Sequence, residues 1–263
     1  MLPGSIACRL KVAVDSQAWL LPDWPAPRRV QAAVTTCDGP GVSAAPYERF
    51  NLGLRSGDLP DAVAINRSAL QQILDLPAAP RWLRQVHGIS VAELGPLSSL
   101  DEPRADAAVS HIPGTVLSIL TADCLPVLFC ADDGSEIGAA HAGWRGLAAG
   151  VLEATLTQLH SPRERLLAWL GPCIGAASYE VGEEVRTAFV APDAAMAACF
   201  VATRPGHWQC DLAALARRRL AAAGVTHIYG GGFDTFSDPR FYSYRRDGAR
   251  SGRFASLIWL ADS

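Results

Sequence analysis

Three short segments of this chain each place a side chain that can bind a metal at the end of an apolar run typical of a β-strand. They are Gln85-Val86-His87-Gly88, Thr121-Ala122-Asp123-Cys124 and Ala140-His141-Ala142-Gly143-Trp144-Arg145-Gly146. Two neutral imidazoles and one thiolate form a donor set that zinc uses in catalytic sites, where a fourth position stays open for water or substrate. The set His87, Cys124 and His141 therefore predicts a metalloenzyme.

The same residues have a simpler structural interpretation. A free cysteine is often just a small buried hydrophobic side chain, and zinc ligands are usually closer together along a chain than these three are. The placement of these residues favours a functional role over a purely structural one. Cys124 follows Asp123 at a strand corner, and His141 precedes a glycine turn into a helix, and functional groups are commonly mounted at such positions.

Composition narrows the class of protein. The chain has 263 residues and a formal net charge of -3, so bulk electrostatics give no reason to expect nucleic acid or an anionic membrane as a partner. Seven cysteines without paired spacing favour reduced thiols. The sequence contains no uninterrupted apolar run of about 18 residues and no usable signal peptide. We expect a cytoplasmic protein that is a monomer.

Hydrophobic patterning predicts an irregular leader over residues 1–29 and a single domain over residues 30–263. Strands are predicted at 30–35, 116–121, 126–130, 137–141, 166–170 and 254–260, and a strand or bent hairpin at 82–94. Helices are predicted from an Asp58 cap through residue 74, at 147–159, from a Ser178 cap to about 190, and at 212–223 between Asp211 and Gly224. Helices interleave with hairpin strands, which favours an α+β mixed-sheet domain.

Other polar residues give weaker signals. Arg145 lies in a glycine turn that opens a helix and suits an anion, although an ordinary surface turn fits equally well. Arg245 and Arg246 lie beside two tyrosines and could hold phosphate, although a solvated turn is the simpler interpretation. Asn51 and the mid-helix Arg67 are weaker candidates for substrate binding. The remaining histidines, His111, His160, His207 and His227, lack supporting context and are assigned structural roles.

Taken together, these segments resemble the YfiH-type family, long labelled polyphenol oxidase or laccase-domain protein. The resemblance runs from about residue 30 to the end. It is carried by the three segments above extended through Leu125-Pro126-Val127-Leu128, and by Tyr179-Glu180-Val181-Gly182, Tyr242-Ser243-Tyr244-Arg245-Arg246-Asp247, Asn51-Leu52-Gly53, Gly57-Asp58 and Asn66-Arg67.

The resemblance implies a fold and an activity. The fold is a layered α/β/β/α domain with mixed sheets. The activity is phosphate-dependent cleavage of adenosine, inosine and methylthioadenosine to base and pentose 1-phosphate, together with deamination of adenosine. The family's zinc ligands carry over onto His87, Cys124 and His141, and copper could occupy the same ligands.

The chain departs from the family pattern at two positions. Cys37 stands where the family often has an arginine, which puts one polar pocket contact in doubt. Asp234-Thr235 appears where the family has a Cys-Thr pair, which suggests that this cysteine is not essential to the chemistry.

The leading hypothesis is a zinc enzyme for purine nucleosides. In it Asp123 moves protons, and Arg145, Arg245 and Arg246 position phosphate. Three alternatives stay open. Cys124 could be the nucleophile of a thiol hydrolase or deamidase with a histidine as its base, the protein could be a copper-dependent phenol oxidase, or it could bind a metal or purine without catalysis.

Overall fold

The computed structural model describes residues 18–95, 98 and 101–261, so residues 1–17 of the predicted leader lie outside the described part. The strands are β1 (Trp19–Leu20), β2 (Val30–Thr35), β3 (Val91–Glu93), β4 (Ala107–Ser110), β5 (Val116–Thr121), β6 (Leu125–Ala131), β7 (Ile137–Ala142), β8 (Leu166–Leu170), β9 (Glu180–Gly182), β10 (Phe200–Arg204), β11 (His207–Cys210), β12 (His227–Gly230) and β13 (Phe254–Leu260). The α-helices are α1 (Pro60–Ile73), α2 (Trp144–Ala149), α3 (Val151–Thr157), α4 (Glu183–Val190), α5 (Leu212–Ala222) and α6 (Tyr244–Asp247). Short 3-10 segments lie at Arg163–Arg165, Ala176–Ser178, Ala194–Cys199 and Gly248–Arg250.

Two sheets form the centre of the fold. The smaller central sheet has the order β1-β2-β13-β5 and is antiparallel throughout. The larger has the order β12-β8-β6-β7-β4-β3 and is mixed, because β12 pairs with β8 and β3 pairs with β4 in parallel. A third sheet, β10-β11-β9, is small and antiparallel.

The core fills three spaces between layers. One cluster lies between the two central sheets and includes Leu117, Leu128 and Ile258. A second lies between the larger sheet and helices α2 to α5, and a third packs α1 against the outer face of the smaller sheet. Every residue of β6 is buried, as expected for a strand covered on both faces. The predicted α/β/β/α mixed-sheet fold is therefore confirmed.

Apolar runs located most of the central strands. The predicted strands at 30–35, 116–121, 166–170 and 254–260 have the predicted bounds, and β6 and β7 are only slightly longer than predicted. Asp211 caps α5, since its side chain accepts a hydrogen bond from the backbone N–H of Ala214 at 2.8 Å. Gly224 follows that helix with φ +92°, a left-handed angle that glycine adopts readily.

Two helix starts were predicted wrongly. Leu59, not Asp58, is the N-cap residue of α1, because the Asp58 carboxylate instead accepts hydrogen bonds from Ser43 at 2.6 Å and Asn51 at 2.9 Å. Ser178 caps no helix, and α4 begins at Glu183 after the short strand β9. Pairing of β9 with β11 is a non-local contact that local patterning does not reveal.

Three other boundaries also differ from the predictions. The interval 82–94 is mostly loop, with β3 as its only extended stretch, because the chain turns sharply at His87 with φ +60°. The predicted helix at 147–159 begins earlier and divides at Gly150, where φ is +103°. Within the predicted leader, β1 pairs with β2, so residues 19–20 belong to the smaller central sheet.

Across the described ranges, the longest helix is too short and too polar to cross a lipid bilayer.

Candidate active site

The three predicted metal ligands meet at one end of the paired central sheets. His87 lies in the loop before β3, Cys124 lies at the corner where the chain passes from β5 to β6, and His141 lies in β7. Their ligand atoms lie within 4.8 Å of one another. The Sγ atom of Cys124 is 3.9 Å from Nε2 of His87, and the two imidazole rings meet edge to face with centroids 4.8 Å apart. The structure therefore brings these three side chains into one cluster.

Asp106 positions two of these ligands, His87 and His141, through its carboxylate. Its buried carboxylate accepts hydrogen bonds from three consecutive backbone N–H groups, those of Val86, His87 and Gly88, at 2.7–3.2 Å. It also lies 2.9 Å from Nδ1 of His141. Because Nδ1 faces this carboxylate, Nε2 is the nitrogen of His141 that can bind a metal, an arrangement common around metal-binding histidines.

Ionisation of the cluster follows from these contacts. Burial alone would raise the pKa of Cys124, but the charge and hydrogen bonds of His141 and His87 outweigh it and lower the pKa to about 6. Burial alone would lower the pKa of His141, but the Cys124 thiolate and Asp106 raise it to about 9. The cluster thus favours a thiolate, which is the form of cysteine that binds metals and attacks electrophiles.

Selective alkylation should report this thiolate. In metal-free protein at pH 7, iodoacetamide is expected to modify Cys124 before the other five cysteines in the described ranges. Their thiols have pKa values raised by burial, to about 11 for the half-buried Cys37. Peptide mass spectrometry would measure the order of modification. Lowering the pH below about 6 should slow the reaction, and faster labelling of Cys37 would contradict this assignment.

Gly143 leaves room for the cluster. A Cβ atom at this position would lie 2.9 Å from Sγ of Cys124 and 3.0 Å from Cδ2 of His87, closer than carbon atoms normally approach. Gly143 also precedes α2, so its backbone cannot move without shifting Trp144 and Arg145. The missing side chain therefore allows two ligands from distant segments to meet.

The substitution Gly143→Ala is expected to weaken metal binding by about tenfold or more, since supporting contacts around metal ligands are typically worth about 10–100-fold in affinity. A competition assay with a colorimetric chelator would measure the loss. Gly232→Ala is a matched control, because a Cβ there would meet nothing within 4 Å. Equal affinity of the Gly143→Ala variant and the wild-type protein would show that the cluster tolerates the extra methyl group.

A cavity of about 550 Å³ opens over the cluster. Pockets for small molecules in proteins commonly span about 300–1,000 Å³. All three predicted metal ligands line it, together with Asp123. Its wall also holds the aromatic residues Trp144, Tyr179 and Tyr244 and the arginines Arg55, Arg145, Arg245 and Arg253. The lining combines ring faces, which can stack on a heterocycle, with cations, which can bind an anion.

Two of the predicted arginines reach this cavity. The Arg145 guanidinium lies 4.4 Å from the Trp144 ring centroid, and it has no hydrogen bond or ion pair within the described ranges. Arg245 lies 5.1 Å from the Tyr179 ring centroid and donates from Nη1 to the carbonyl oxygen of Glu180 at 2.9 Å. Both cations therefore border the cavity with donor groups left over.

Arg253 also lines the cavity, although the sequence did not predict it as a site residue. Its Nη1 atom donates to the carbonyl oxygens of Ser251 and Gly252, both at 2.7 Å. Burial lowers the pKa of Arg253, and the negative charges of Cys124 and Asp123 offset this only in part. A half-buried cation without a bonded carboxylate in the described part of the chain is suited to an anionic ligand.

Asp123 has a clear structural contribution at the corner. One carboxylate oxygen accepts a hydrogen bond from the Thr235 hydroxyl at 2.7 Å, and the other accepts one from the Arg245 backbone N–H at 2.6 Å. The residue itself has φ +85°, which turns the chain into β6. Asp123 thus fixes the segment that carries Arg245, while its role in proton transfer stays a prediction.

Three predicted substrate-binding residues do not line the cavity. Asn51 is buried, and its side-chain oxygen accepts hydrogen bonds from the backbone N–H groups of Gly53 at 3.0 Å and Arg253 at 2.8 Å. Arg67 pairs with Glu102 at 2.9 Å. Arg246 donates to the carbonyl oxygens of Thr235, Phe236 and Phe241. These contacts assign the three residues to supporting the walls.

The two departures from the family pattern also have defined surroundings. Cys37 lies outside the cavity and donates from Sγ to the carbonyl oxygen of Pro239 at 3.2 Å. Asp234 accepts hydrogen bonds from the Gly175 backbone at 2.8 Å and the Ser178 hydroxyl at 2.6 Å. Asp234 therefore stabilises a loop behind the cavity instead of supplying a thiol.

Asp106 is the most consequential residue that sequence reasoning missed. It directly precedes β4, whose small residues pair with β7 next to His141. A single acidic residue before a short alanine-rich strand resembles a solvated turn. The signal that could have identified it is its position before a strand that adjoins a predicted ligand.

The chain is similar to known proteins over nearly its whole length. Residues 31–261 match the family described as multi-copper polyphenol oxidoreductase laccase. The chain is 56% identical over 254 residues to a purine nucleoside phosphorylase of Xylella fastidiosa, covering 92% of this chain and 97% of the relative. It is 50% identical to purine nucleoside phosphorylase YfiH of Escherichia coli, covering 92% and 98%. A solved Neisseria meningitidis protein superposes with a TM-score of 0.88 at 44% identity, covering 93% of this chain and all of that one.

Proposed function

This chain belongs to the family described as multi-copper polyphenol oxidoreductase laccase, and we propose that it is a metal-dependent purine nucleoside phosphorylase. The single observation that supports this most strongly is the position of the His87, Cys124 and His141 cluster in a cavity lined by aromatic residues and arginines. Relatives that match nearly the whole chain carry the name purine nucleoside phosphorylase. The substrates proposed for this chain are therefore purine nucleosides and phosphate.

The donor set fits zinc better than a multi-copper centre. Two imidazoles and a thiolate suit a tetrahedral ion with one open position, and copper could occupy the same three ligands. Zinc held there would supply a Lewis acid within the cavity. A multi-copper oxidase requires many more histidine ligands than this cavity offers within the described ranges.

Phosphorolysis forms one bond and breaks another. A phosphate oxygen attacks C1′ of the sugar, the C1′–N9 bond breaks, and the purine leaves with the electron pair and takes a proton. Arg145, Arg245 and Arg253 can hold the phosphate dianion beside the sugar. Tyr179 and Trp144 offer ring faces to the base. The products are the free base and a pentose 1-phosphate.

We also propose that adenosine is deaminated at the same centre. Water replaces the amino group at C6 of the purine, giving inosine and ammonia. Asp123 borders the cavity and is the carboxylate proposed to move protons there. We further propose adenosine, inosine and methylthioadenosine as substrates, the cytoplasm as location and a monomeric state.

Arg253 is proposed to bind phosphate. Arg253→Lys keeps the charge but loses the guanidinium's paired donors, so the KM for phosphate is expected to rise about tenfold, which corresponds to about 1.4 kcal/mol of binding. Steady-state kinetics with inosine at varied phosphate would measure it. Arg165→Lys is the control, because Arg165 pairs with Asp132 outside the cavity. An unchanged KM for phosphate would remove Arg253 from this role.

A product assay on protein of known metal content tests the proposed function. The protein is incubated with adenosine or inosine, with and without phosphate, and the products are separated by liquid chromatography. Base and pentose 1-phosphate that form only with phosphate support phosphorolysis, and inosine formed from adenosine without phosphate supports deamination. Absence of any purine product from zinc-loaded protein would sink the proposal.

A thiol hydrolase is the second candidate. The observation that favours it is the Cys124 thiolate beside His141, which is in turn oriented by Asp106. This order of nucleophile, base and carboxylate occurs in cysteine hydrolases. It predicts activity that survives chelation of metal, whereas phosphorolysis by the proposed centre is lost on chelation.

A further inference from the structure

A second cluster of potential metal ligands lies at the other end of the larger central sheet. It consists of His111, Glu136 and His160, which we call the His–Glu–His cluster. His111 follows β4, Glu136 precedes β7, and His160 follows α3. Since β7 runs from beside Glu136 to His141, and a strand rises about 3.3 Å per residue, about 16 Å separate this cluster from the cavity.

Glu136 is a buried anion with few partners. Its side chain is only 2% exposed, and it accepts hydrogen bonds from the backbone N–H groups of His160 at 2.9 Å and Ser161 at 2.7 Å. Burial alone would raise its pKa, but these hydrogen bonds and His111 lower it, so the carboxylate is ionised at neutral pH. Nδ1 of His111 lies 3.2 Å from the Oε2 atom of Glu136, and no lysine or arginine pairs with this carboxylate among the described residues. A buried carboxylate without lysine or arginine is suited to a bound cation.

The spacing of the donors fits a small divalent ion. With metal–ligand bonds of about 2.0–2.1 Å, two donors of a tetrahedral site lie about 3.4 Å apart. Nδ1 of His111 is 3.2 Å from Oε2 of Glu136, and the ligand atoms of all three residues lie within 4.8 Å of one another. Nε2 of His111 is buried without a hydrogen-bond partner in the described part of the chain. Glu136 favours a hydrogen on Nδ1 of the neutral His111 ring, and a metal held between Nδ1 and Oε2 would take the place of that hydrogen, which would move to Nε2.

The imidazole rings indicate which residue moves. The rings of His111 and His160 stack with centroids 4.3 Å apart and planes 1° from parallel. An imidazole binds a metal through a ring nitrogen of its neutral form, and the metal then lies in the plane of that ring. A metal cannot lie in two parallel ring planes at once. Metal binding therefore requires the exposed His160 ring to turn.

We propose that the His–Glu–His cluster is a second divalent-metal site, with imidazole and carboxylate ligands of the kind that zinc binds. It joins the start of β7 to the segments that follow β4 and α3. The site shares no ligand with the cavity and does not depend on the proposed nucleoside chemistry.

Metal stoichiometry tests this proposal without an activity assay. Equilibrium dialysis against zinc, with metal analysis, is expected to give two ions per wild-type chain. Both Cys124→Ser and His160→Ala should bind one, and the double variant should bind almost none. His160 is exposed, so its replacement should leave the fold intact by circular dichroism. His227→Ala, which removes an exposed histidine on β12, should still bind two.

A second measurement locates the ion. In the Cys124→Ser background, cobalt should shift or broaden the NMR signals of His111 and His160, and zinc should raise the Tm of this variant but not of the double variant. One zinc per wild-type chain that is lost entirely in Cys124→Ser would overturn the proposal, as would two ions per chain in His160→Ala.

Discussion

Replacing Cys124 with serine is expected to reduce phosphate-dependent cleavage of inosine by about 10³-fold or more. The substitution removes the thiolate, whose pKa of about 6 makes it the anionic member of the cluster, and leaves a hydroxyl that binds zinc poorly. Loss of a Lewis acid removes several kcal/mol of transition-state stabilisation, and each 1.4 kcal/mol corresponds to about tenfold in rate. Initial rates and zinc content, measured on the same preparation, would check this result.

The loss of phosphorolysis should result from a change at the site and not from unfolding of the variant. Cys124 lies at a corner and serine is nearly isosteric with it, so the Tm of the metal-free protein should change little. Cys37→Ser is the matched control, because Cys37 is also a partly exposed thiol but lies outside the cavity. Full phosphorolysis by a Cys124→Ser protein that has lost the zinc bound by His87, Cys124 and His141 would exclude the proposed centre. Phosphorolysis that survives in wild-type protein stripped of metal would contradict a metal-dependent mechanism.

The sequence predicted the central strands because their burial is local information. β5, β6, β8 and β13 are short apolar runs bounded by turn residues, and nearly all of their residues are buried. The strands β9 to β12 were not predicted. They are short and contain polar residues, and β9 and β12 pair with the distant segments β11 and β8. Non-local pairing of this kind leaves little trace in local hydrophobic patterning.

The same distinction applies to the site. His87, Cys124 and His141 could be predicted because residue type and position at strand ends are visible in the sequence. Whether an arginine faces a cavity depends on tertiary contacts, so Arg246, whose donors are used by carbonyl oxygens, could not be distinguished from Arg245. Arg253 faces the cavity because Asn51 holds its backbone from a segment 202 positions away.

The corner between the two sheets explains why chemistry is placed there. The chain leaves the smaller sheet at Thr121 and enters the larger one at Leu125, so Cys124 must lie where the two sheets meet. Asp123 closes this corner with φ +85° and binds Thr235 and Arg245. A ligand and a cation are thereby fixed by one turn, which makes their separation insensitive to motion of outer loops.

Replacing Asp106 with asparagine is expected to lower zinc affinity by about 10–100-fold and to destabilise the protein. The carboxylate accepts hydrogen bonds from three backbone N–H groups and faces Nδ1 of His141. An amide offers one accepting oxygen and turns a donating NH₂ towards groups that also donate, and each unsatisfied buried donor costs about 1–3 kcal/mol. Zinc competition and thermal unfolding would measure the two effects separately.

Asp234→Asn separates these two effects. Asp234 also accepts hydrogen bonds from a backbone N–H and hydroxyl groups, at Gly175, Ser178 and Ser237, but contacts none of the three ligands. The substitution Asp234→Asn should therefore lower the Tm while leaving zinc affinity near the wild-type value.

The stabilisation by Asp106 depends on pH. Burial opposes ionisation of Asp106, yet His141 and the backbone donors keep its pKa below the ordinary value. The stabilisation by its carboxylate is therefore complete at neutral pH and is lost only in acid. The difference in Tm between wild type and Asp106→Asn should thus narrow as pH falls below about 4. If Asp106→Asn and Asp234→Asn lower zinc affinity equally, the carboxylate behind His141 does no more than stabilise the fold.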